Sequence, residues 1–264
     1  MLKHINFKIN KGEFVGLIGR VSSGRSSLCS AFLGLIPHFY PGEFTGSLIV
    51  DGLSVNDSSI AKLSTHVGLV FQSPVNQLSG AGTTVEEELA FGLENLGVPR
   101  SEMVRRFNDM LKLIGLTSFR KRSPFELSGG QQQKVAIASV LIMAPKVLVM
   151  DEPTAQLDPL GSRLVFDLIK KLTKQGITII LNTQDINQLA EFADRVLVMD
   201  GGMIVRDGTA RDVLTDINCL NSHGINPSDL TLLSSELKKR GLYKGPLCLT
   251  MRDAELMVKK VIKK

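Results

Sequence analysis

The sequence predicts an α/β fold with a mostly parallel sheet, because short apolar runs typical of buried strands alternate with segments of helical periodicity. The run Val147–Met150 is continuous and rich in β-branched residues, as a strand covered on both faces requires. Ile177–Leu181 has the same character. A glycine-serine loop, residues 19–26, separates the apolar run Phe14–Ile18 from a segment of helical spacing. In such a sheet, ligands bind at the carboxyl ends of the strands.

The first half of the chain supplies strands, one core helix and a predicted helical subdomain. Apolar runs predict the strands Phe14–Ile18, Leu48–Val50 and Val67–Phe71, and the Asp51-Gly52 turn closes the second of them. Apolar residues that recur at spacings of three and four residues predict the helices Ser26–Leu35, Thr83–Leu96 and Ser101–Gly115. The last two helices open a helical subdomain that we predict over about residues 83–145.

The second half returns to the α/β pattern. Ser128 is a good N-cap, and the helix after it is apolar on nearly every side over Val135–Ala144, which predicts a buried helix. Asp158 and Pro159 predict the start of another helix, which Gly176 ends. The predicted strands Val196–Met199 and Met203–Val205 flank Asp200-Gly201-Gly202, which is typical of a hairpin.

The pattern loosens after about Asp212. Asn218–Pro227 is polar and rich in turn residues, and two modest helices are predicted over Ser228–Arg240 and Thr250–Lys263. We therefore predict a main domain over residues 1–211 and a small C-terminal appendage over residues 212–264, with a role in dimerisation or regulation.

Composition and charge exclude several classes of protein. The 264 residues are 43% hydrophobic, which is ample for a packed core. A membrane span needs about 20 consecutive apolar residues, whereas Val135–Ala144 stops at Pro145. Residues 1–11 are not followed by the apolar segment of an export signal. The three cysteines, Cys29, Cys219 and Cys248, are too widely spaced for a zinc or disulfide pattern, which fits a reducing compartment.

The net charge of +5 does not predict a nucleic-acid partner. Much of the positive charge lies after Glu236, in a tail where, apart from Tyr243, no aromatic residues are interleaved with the lysines. A stacking platform for bases would need such aromatics, so a solvated helical face is the better interpretation.

Residues 19–26 have the spacing of a phosphate-binding loop, with arginine where lysine is expected. They read Gly19-Arg20-Val21-Ser22-Ser23-Gly24-Arg25-Ser26, and Ser27 follows. The two glycines let backbone N–H groups approach phosphates, and the helix beginning near Arg25 adds its positive end. The Ser26 hydroxyl is a ligand for Mg²⁺. A guanidinium is wider than an ammonium group, so binding is expected to persist while positioning suffers. A turn without function is the alternative, but a strand before the loop and Asp151 later in the chain argue against it.

Two carboxylates close the strand Val147–Met150. We expect Asp151 to reach a metal ion through water, and Glu152 to act as general base for an attacking water molecule. The alternative is a solvated carboxylate pair at a strand end, but the segment Pro153–Asp158 directly after it argues for function. Together with the phosphate loop, these residues predict a site for ATP and Mg²⁺.

The segment Leu127-Ser128-Gly129-Gly130-Gln131, placed before Val147–Glu152, resembles the nucleotide-binding subunits of ABC transporters, from the first residues to about Thr209. The resemblance implies a P-loop NTPase core of ABC type. Three further segments, Leu35–Phe39, Val70–Pro74 and Glu87–Gly92, resemble the ATPases of energy-coupling factor transporters, which import vitamins or transition-metal ions.

The resemblance assigns further roles. Gln72 is implied as the glutamine that touches the metal and senses a transmembrane subunit, and Gln77–Phe91 would receive that subunit's coupling helices. For the latter segment, an ordinary surface loop and helix is an equal alternative. Asp158 matches an aspartate that communicates across a dimer. Residues Ser128, Gly129, Gly130 and Gln131 would bind the γ-phosphate held by a second subunit, because these ATPases work as head-to-tail pairs.

Three residues depart from the family pattern. Arg25 replaces the loop lysine, Ser22 stands where glycine is common, and Gln184 replaces the histidine that contacts the γ-phosphate. Glutamine donates a hydrogen bond but carries no proton or charge. Only eighteen residues precede Gly19, too few for the usual first strand with its adenine-stacking aromatic. Phe7 and Phe14 are interpreted as strand core instead.

All three departures lie in residues that would bind the chain's own nucleotide. The signature residues 128–131, which would contact a partner's nucleotide, follow the family pattern. We therefore expect a heterodimer with a second ABC ATPase, in preference to a homodimer, in which this chain's own site turns over slowly. A transmembrane transport subunit would complete the importer, with the ATPases peripheral on the cytoplasmic face of the membrane.

Two alternatives remain open. One is a non-transport ABC ATPase acting on DNA or the ribosome, although the inserted coiled coil, linker or second nucleotide-binding half usual there is not seen. The other is a regulatory subunit that binds nucleotide without turnover and uses the tail after Asp212.

Overall fold

A computed structural model describes residues 2–262, which divide into two compact units. Unit 1 comprises the residues up to Arg25 and those from Leu181 onward, and unit 2 comprises Ser26–Ile180. Met1, Lys263 and Lys264 lie outside the described residues, including the predicted end of the helix over Thr250–Lys263. The predicted division of the chain at residue 212 stays a prediction.

The strands confirm the α/β class and the mostly parallel sheet. They are β1 (Phe14–Gly19), β2 (Ile49–Val50), β3 (Leu53–Ser54), β4 (Val67–Val70), β5 (Val147–Asp151), β6 (Thr178–Asn182), β7 (Arg195–Asp200) and β8 (Met203–Thr209). Within residues 2–262, the larger sheet has six strands in the order β4-β5-β6-β1-β7-β8. The pairs β4–β5 and β1–β7 are parallel, and β7–β8 is antiparallel. Strands β2 and β3 form a separate antiparallel pair.

The helices lie between and after these strands. They are α1 (Arg25–Phe32), α2 (Leu35–His38), α3 (Ile60–Leu63), α4 (Pro74–Gln77), α5 (Val85–Asn95), α6 (Arg100–Ile114), α7 (Gly129–Leu141), α8 (Pro159–Thr173), α9 (Ile186–Phe192), α10 (Ala210–Leu214), α11 (Ile217–Ser222), α12 (Asp229–Lys239) and α13 (Met251–Ile262). Short 3₁₀ turns at Thr117–Phe119 and Pro124–Glu126 precede α7. No helix in this part of the chain is long and apolar enough to cross a membrane.

Local chemistry explains the helices of unit 2. Thr84 caps α5 and forms a capping box with Glu87, which satisfies backbone donors at the start of that helix. Gly115 ends α6 in the left-handed conformation, with a φ of 69°. Helix α7 is buried along its apolar stretch, as predicted, and packs against α5 and α8.

Unit 1 has a core around β1 and β7. Strands β1 and β7 are buried over nearly their whole length. The turn between β7 and β8 contains Gly201 and Gly202, with φ values of 54° and 82°, so the predicted hairpin is confirmed. A second apolar cluster joins Tyr243, Cys248 and Met257 in the C-terminal part of the unit.

Two local predictions need correction. Phe14 is buried in β1, but Phe7 is only half-buried and lies outside the strands, because β1 begins only after a turn at Asn10–Glu13. The segment predicted as irregular over Asn218–Pro227 begins inside helix α11. The Asp216 side chain caps this helix by accepting a hydrogen bond from the Cys219 N–H at 3.0 Å.

Candidate functional site

Some of the residues predicted to bind or hydrolyse a nucleotide belong to unit 1, and the others belong to unit 2. Unit 1 contains residues 19–25 and Gln184. Unit 2 contains Ser26, Ser27, Gln72, Ser128–Gln131, Asp151, Glu152 and Asp158.

In unit 1 the loop after β1 lies tightly against the β7–β8 hairpin. A Cβ atom at Gly19 would lie 2.2 Å from the Met199 carbonyl oxygen, so no other residue fits there without moving the backbone. Gly24 has a φ of 100°, a conformation that side chains disfavour. The Gly202 N–H donates to the Ser23 carbonyl at 3.1 Å, which ties the loop to the hairpin turn. The two glycines of the loop are therefore required by its backbone path.

Ser22 has a backbone conformation that favours glycine. Its φ is 65°, in the left-handed region, and the residue is exposed. That conformation costs a residue with a Cβ about 1–2 kcal/mol. The departure at Ser22 thus leaves the loop conformation in place at an energetic cost.

The Arg25 side chain is buried, with 7% of its surface exposed. Its Nη1 donates to the Oδ1 of Asn182 at 2.6 Å and approaches the Thr183 carbonyl oxygen at 3.5 Å. Asn182 is itself buried at the end of β6, and Gln184 follows two residues later on an exposed bend. Asn182 is missing from the sequence prediction. Its signal was a polar side chain ending an otherwise apolar strand directly before Thr183-Gln184-Asp185.

The loop also holds a polar group suited to an anion. The Ser23 Oγ is buried and has no hydrogen-bond partner among the described residues. A buried hydroxyl without a partner is costly, and a phosphate oxygen is an acceptor that would satisfy it. Its position in the glycine loop fits the predicted binding of phosphates.

In unit 2 the structure brings Ser26 and Asp151 together. The Ser26 Oγ donates to the Asp151 Oδ1 at 3.2 Å. A Mg²⁺ ion with the Ser26 hydroxyl as a ligand at about 2.1 Å would lie close enough to Asp151 for its carboxylate to hold the ion through a water molecule. Ser27 follows Ser26 in α1 and is half-buried, and Gln72 is exposed on the segment after β4.

Glu152 has a strained backbone. Its φ is 48°, and it directly follows β5. Residues other than glycine in this conformation are uncommon and cluster at functional sites. The side chain is half-buried, which leaves part of it accessible to a water molecule.

The signature segment begins helix α7. Ser128 is the exposed N-cap, and its N–H donates to the Gln131 Oε1 at 3.1 Å. Gly129 is exposed. Gly130 is buried against α8, and a Cβ atom at Gly130 would lie only 2.6 Å from the Gly161 Cα. Gly129 therefore leaves the N-terminal end of α7 accessible, and Gly130 lets α7 and α8 pack closely against each other.

Asp158 lies at the start of the neighbouring helix. Its Oδ1 accepts a hydrogen bond from the Gly161 N–H at 2.6 Å, which caps α8. Since Gly161 also contacts Gly130, the signature and Asp158 sit at the N-terminal ends of two helices in direct contact. A shift of one helix would displace the other.

Gln133 is a further residue that sequence reasoning missed. It is fully buried, its Nε2 reaches the Phe71 carbonyl at 3.5 Å, and its Oε1 has no partner among the described residues. Phe71 in turn donates its N–H to the Gln77 Oε1 at 3.1 Å. Gln133 thus links the signature helix to the residue that precedes Gln72. The repeated Gln131-Gln132-Gln133 run in the sequence carried no sign of which glutamine is buried.

An ion pair braces the segment before the signature. Arg120 donates to both carboxylate oxygens of Glu86, at 2.7 and 2.6 Å, and Lys121 lies 2.8 Å from the same group. The hydrogen bond from Arg120, followed by that from Lys121, lowers the pKa of Glu86 to about 2. These contacts fasten the start of α5 to the residues that directly follow the 3₁₀ turn Thr117–Phe119.

A cleft of about 290 Å³ opens elsewhere in unit 2. It is lined by Ser64, Gln77, Ser79, Glu88, Phe91, Gly92, Asn95, Leu96, Ser139, Val140 and Met143. The buried Glu88 carboxylate accepts hydrogen bonds from the Ser79 N–H at 2.7 Å, the Ser79 Oγ at 2.9 Å and the Gly80 N–H at 3.3 Å. These bonds fix the loop at the edge of the cleft, and Phe91 presents 41% of its surface.

The family model described as ABC transporter matches residues 2–155. The chain is 52% identical over 242 residues to a putative ABC transporter ATP-binding protein of Pyrococcus horikoshii, covering 91% of this chain and 84% of the relative. It is 41% identical over 244 residues to an energy-coupling factor transporter ATP-binding protein of Caldanaerobacter subterraneus, covering 92% and 85% of the two chains.

Solved structures agree in fold. One neighbour is a Clostridium perfringens protein that is part of the cbiONQ ABC transporter complex, with a TM-score of 0.74, 33% identity and coverage of 89% and 92%. Another is a dimeric ATP-binding cassette in a post-hydrolysis state bound to ADP and Pi, with a TM-score of 0.66, 30% identity and coverage of 79% and 90%. The chain therefore belongs to the ATP-binding proteins of the ABC transporter family and is an ABC-type ATPase with a P-loop NTPase fold.

Proposed function

We propose that this ATPase is the ATP-binding subunit of an energy-coupling-factor-type importer, and that it works as the half of a heterodimer whose own nucleotide site is degenerate. One contrast carries the proposal: Arg25 is turned inward onto Asn182, while Ser128 and Gly129 of the signature are exposed. The importer class is supported by the names of the relatives and of the solved neighbour, which come from energy-coupling factor and cbiONQ transporters.

The chain's own site would bind MgATP through the residues predicted from the sequence. The backbone of residues 19–27 holds the phosphates, with the buried Ser23 Oγ as one donor. Mg²⁺ would be held by Ser26, Gln72 and Asp151. Bound ATP supplies the phosphoryl group that water attacks.

Two side chains would govern turnover at this site. Glu152 accepts a proton from the water molecule at its carboxylate. Gln184 donates a hydrogen bond toward the γ-phosphate but cannot carry a proton or a positive charge. With Arg25 in place of lysine, two groups that stabilise transition-state charge are changed. Losing one such donor typically costs about 10²–10³ in rate, so slow turnover is expected.

The other half of the proposal concerns a second ABC ATPase. Residues 128–131 and Asp158 would complete the nucleotide site of that partner. The exposed N-cap at Ser128 and the exposed Gly129 support this, because the start of α7 presents backbone N–H groups suited to an anion. A partner with an ordinary lysine and histidine would then have a competent site.

The transmembrane subunit would dock at the cleft beside Gln77 and Phe91. The cleft has an apolar rim at Phe91 and Leu96, which are 41% and 42% exposed, and a fixed loop at Ser79. Such a surface suits a short helix with apolar contacts. The ATPase would thereby be peripheral on the cytoplasmic face of the membrane.

The proposal is tested by purifying the tagged chain from membranes and identifying its companions by mass spectrometry. We expect a second ABC ATPase and a polytopic membrane protein. Steady-state ATPase rates of that complex are then measured with Ser128→Arg and with Glu152→Gln in this chain. Ser128→Arg is expected to lose at least tenfold more activity than Glu152→Gln, because the competent site uses this chain's signature.

The control is the same glutamate-to-glutamine change in the second ATPase, which should lose as much activity as Ser128→Arg. A reversed order, with Glu152→Gln the more damaging change, would contradict the asymmetric dimer. So would the purified chain alone hydrolysing MgATP as fast as the complex. ATP binding without phosphate release, even in the complex, would favour a regulatory subunit instead.

A further inference from the structure

We propose that Gln133 is a positioning residue, which holds the segment carrying Gln72 against the signature helix α7 and so sets how well Gln72 binds Mg²⁺. This inference rests on the proposed role of Gln72 as a metal ligand. It adds a buried residue of α7, outside the signature residues 128–131, to the support of the metal site.

The Gln133 side chain is buried but incompletely hydrogen-bonded. It is 0% exposed, and its Nε2 donates to the Phe71 carbonyl oxygen at 3.5 Å, which is at the limit of hydrogen bonding. Its Oε1 accepts no hydrogen bond from the described residues. An unsatisfied buried acceptor costs free energy, whereas an apolar side chain of the same shape avoids that cost. Stability therefore does not account for a glutamine here, and a role in the contact with Phe71 does.

The amide can face Phe71 in only one way. If the amide were turned over, its oxygen would lie against the Phe71 carbonyl oxygen, and two acceptors repel each other. The Nε2 end is thus fixed toward Phe71, and the hydrogen bond favours positions of that carbonyl close to α7. A residue without a donor, such as methionine, would fill the space without this preference.

Phe71 is also held by α4. Its N–H donates to the Gln77 Oε1 at 3.1 Å, and α4 packs against α7. The N–H and the carbonyl of Phe71 therefore contact glutamine side chains from two different helices. Gln72 is the next residue and is exposed, so packing restrains its side chain little and its place depends on the backbone of Phe71.

A Mg²⁺ site makes strict demands on the placement of its ligands. The ion prefers octahedral coordination with ligands at about 2.0–2.1 Å. Supporting residues must hold those ligands within about 0.5 Å of the productive geometry. When the Gln133 donor is lost, the Phe71 carbonyl loses its contact with α7, and a shift of Phe71 carries Gln72 with it.

The test is a titration of the full chain with a fluorescent ATP analogue over a range of Mg²⁺ concentrations and in Mg²⁺-free buffer. The variants are Gln133→Met, Gln72→Ala and the double variant. We expect Gln133→Met to raise the Mg²⁺ concentration for half-maximal enhancement of binding about tenfold, as for residues that support a metal ligand. Beside Gln72→Ala the same change should have less than a twofold effect, because Gln133 acts through Gln72. Binding without Mg²⁺ should change less than twofold.

Urea unfolding of the same variants separates positioning from general damage. Gln133→Met removes an unsatisfied buried acceptor, so the variant should be as stable as the unaltered chain or more stable, while its Mg²⁺ dependence weakens. A merely structural role would weaken both together.

Gln132→Met is the matched control. Gln132 is the neighbouring residue, is half-buried, and donates its Nε2 to the Phe125 carbonyl at 3.4 Å, a similar contact with a different segment. Its Mg²⁺ dependence should stay within twofold of the unaltered chain. Gln77→Met is a second test that does not alter the buried end of the contact. It should weaken the Mg²⁺ dependence in the same direction as Gln133→Met, again only when Gln72 is present.

The outcomes are distinct. An unchanged Mg²⁺ dependence in Gln133→Met would overturn the inference, and so would equal losses with and without Mg²⁺ or an undiminished loss beside Gln72→Ala. Each of these results leaves the proposed function intact. If Gln72→Ala itself leaves the Mg²⁺ dependence unchanged, the proposed metal role of Gln72 fails, and the inference fails with it.

Discussion

The phosphate loop and the signature are both turns with glycines at the start of a helix, yet their residues differ in backbone conformation and in exposure. In the loop, Ser22 adopts a left-handed φ of 65° and the Arg25 side chain is buried against Asn182. In the signature, Ser128 and Gly129 are exposed, and Gly130 is used for helix contact. The two loop residues that depart from the family pattern, Ser22 and Arg25, are thus accommodated by strain and by burial, whereas the signature needs no such compensation.

This difference shows that a changed residue does not by itself dismantle a loop. The backbone path of the loop is set by Gly19 and by the Gly202–Ser23 hydrogen bond, both independent of Ser22 and Arg25. The loop keeps its backbone conformation, while the changed side chains alter the chemical groups that can contact a ligand.

The largest effect is expected where the signature helix touches α8. Gly130→Ala would place a Cβ 2.6 Å from the Gly161 Cα, and because both atoms belong to packed helices the contact cannot be relieved by a side-chain rotation. We expect a loss of about 3 kcal/mol in the free energy of unfolding, measured with urea.

Gly129→Ala is the matched control, since its Cβ would meet only the Leu157 Cδ2, at 3.4 Å. Its stability should change by less than about 1 kcal/mol, because alanine also favours the helix. Equal effects of the two variants would mean that Gly130 is not required for packing.

A smaller effect is expected from the ion pair that braces the segment before the signature. The pKa of Glu86 is lowered from 4.5 to about 2, so its contribution to stability is present above pH 4.5 and is lost as the pH falls toward 2. Glu86→Gln should cost about 1 kcal/mol at pH 7, and the difference from the unaltered chain should shrink through that window.

The matched control is Glu126→Gln, because Glu126 is 68% exposed and 4.0 Å from Arg122. Urea unfolding at pH 7 should show a smaller change for this variant than for Glu86→Gln. A Glu86→Gln cost that persists unchanged at pH 2 would contradict an electrostatic origin.

The smallest effect concerns Ser22. Ser22→Gly removes a left-handed cost of about 1–2 kcal/mol but adds flexibility to the unfolded chain, so a net gain of about 0.5 kcal/mol is expected. Ser30→Gly, inside helix α1, is the matched control and should destabilise the protein by a similar amount. Thermal unfolding of the two variants should shift in opposite directions; a loss of stability in Ser22→Gly would show that the serine side chain makes a compensating contact.

Local patterns in the sequence predicted much of the fold. The runs Phe14–Ile18 and Val147–Met150 became buried strands because continuous apolar residues need cover on both faces. The cap Asp158 marks the start of α8 by a short-range hydrogen bond, which the Asp158-Pro159 pair in the sequence predicted. Helix α11 was missed because its cap and its single buried Leu220 give too little periodicity.

Contacts between distant residues were beyond the sequence. Arg25 and Asn182 are separated by 157 positions, and nothing in either local segment indicates that their side chains meet. The pairing of Gly130 with Gly161 and the burial of Gln133 depend in the same way on how α7 packs in unit 2.

The most direct test of the asymmetric account is a single-turnover experiment on the purified complex of this chain with its partner ATPase. The complex is loaded with radiolabelled MgATP in both sites, and released phosphate is counted against ATP that stays bound. The account predicts rapid release of phosphate from one of the two sites, with the ATP on Arg25's side retained. Equal and simultaneous release from both sites would contradict it.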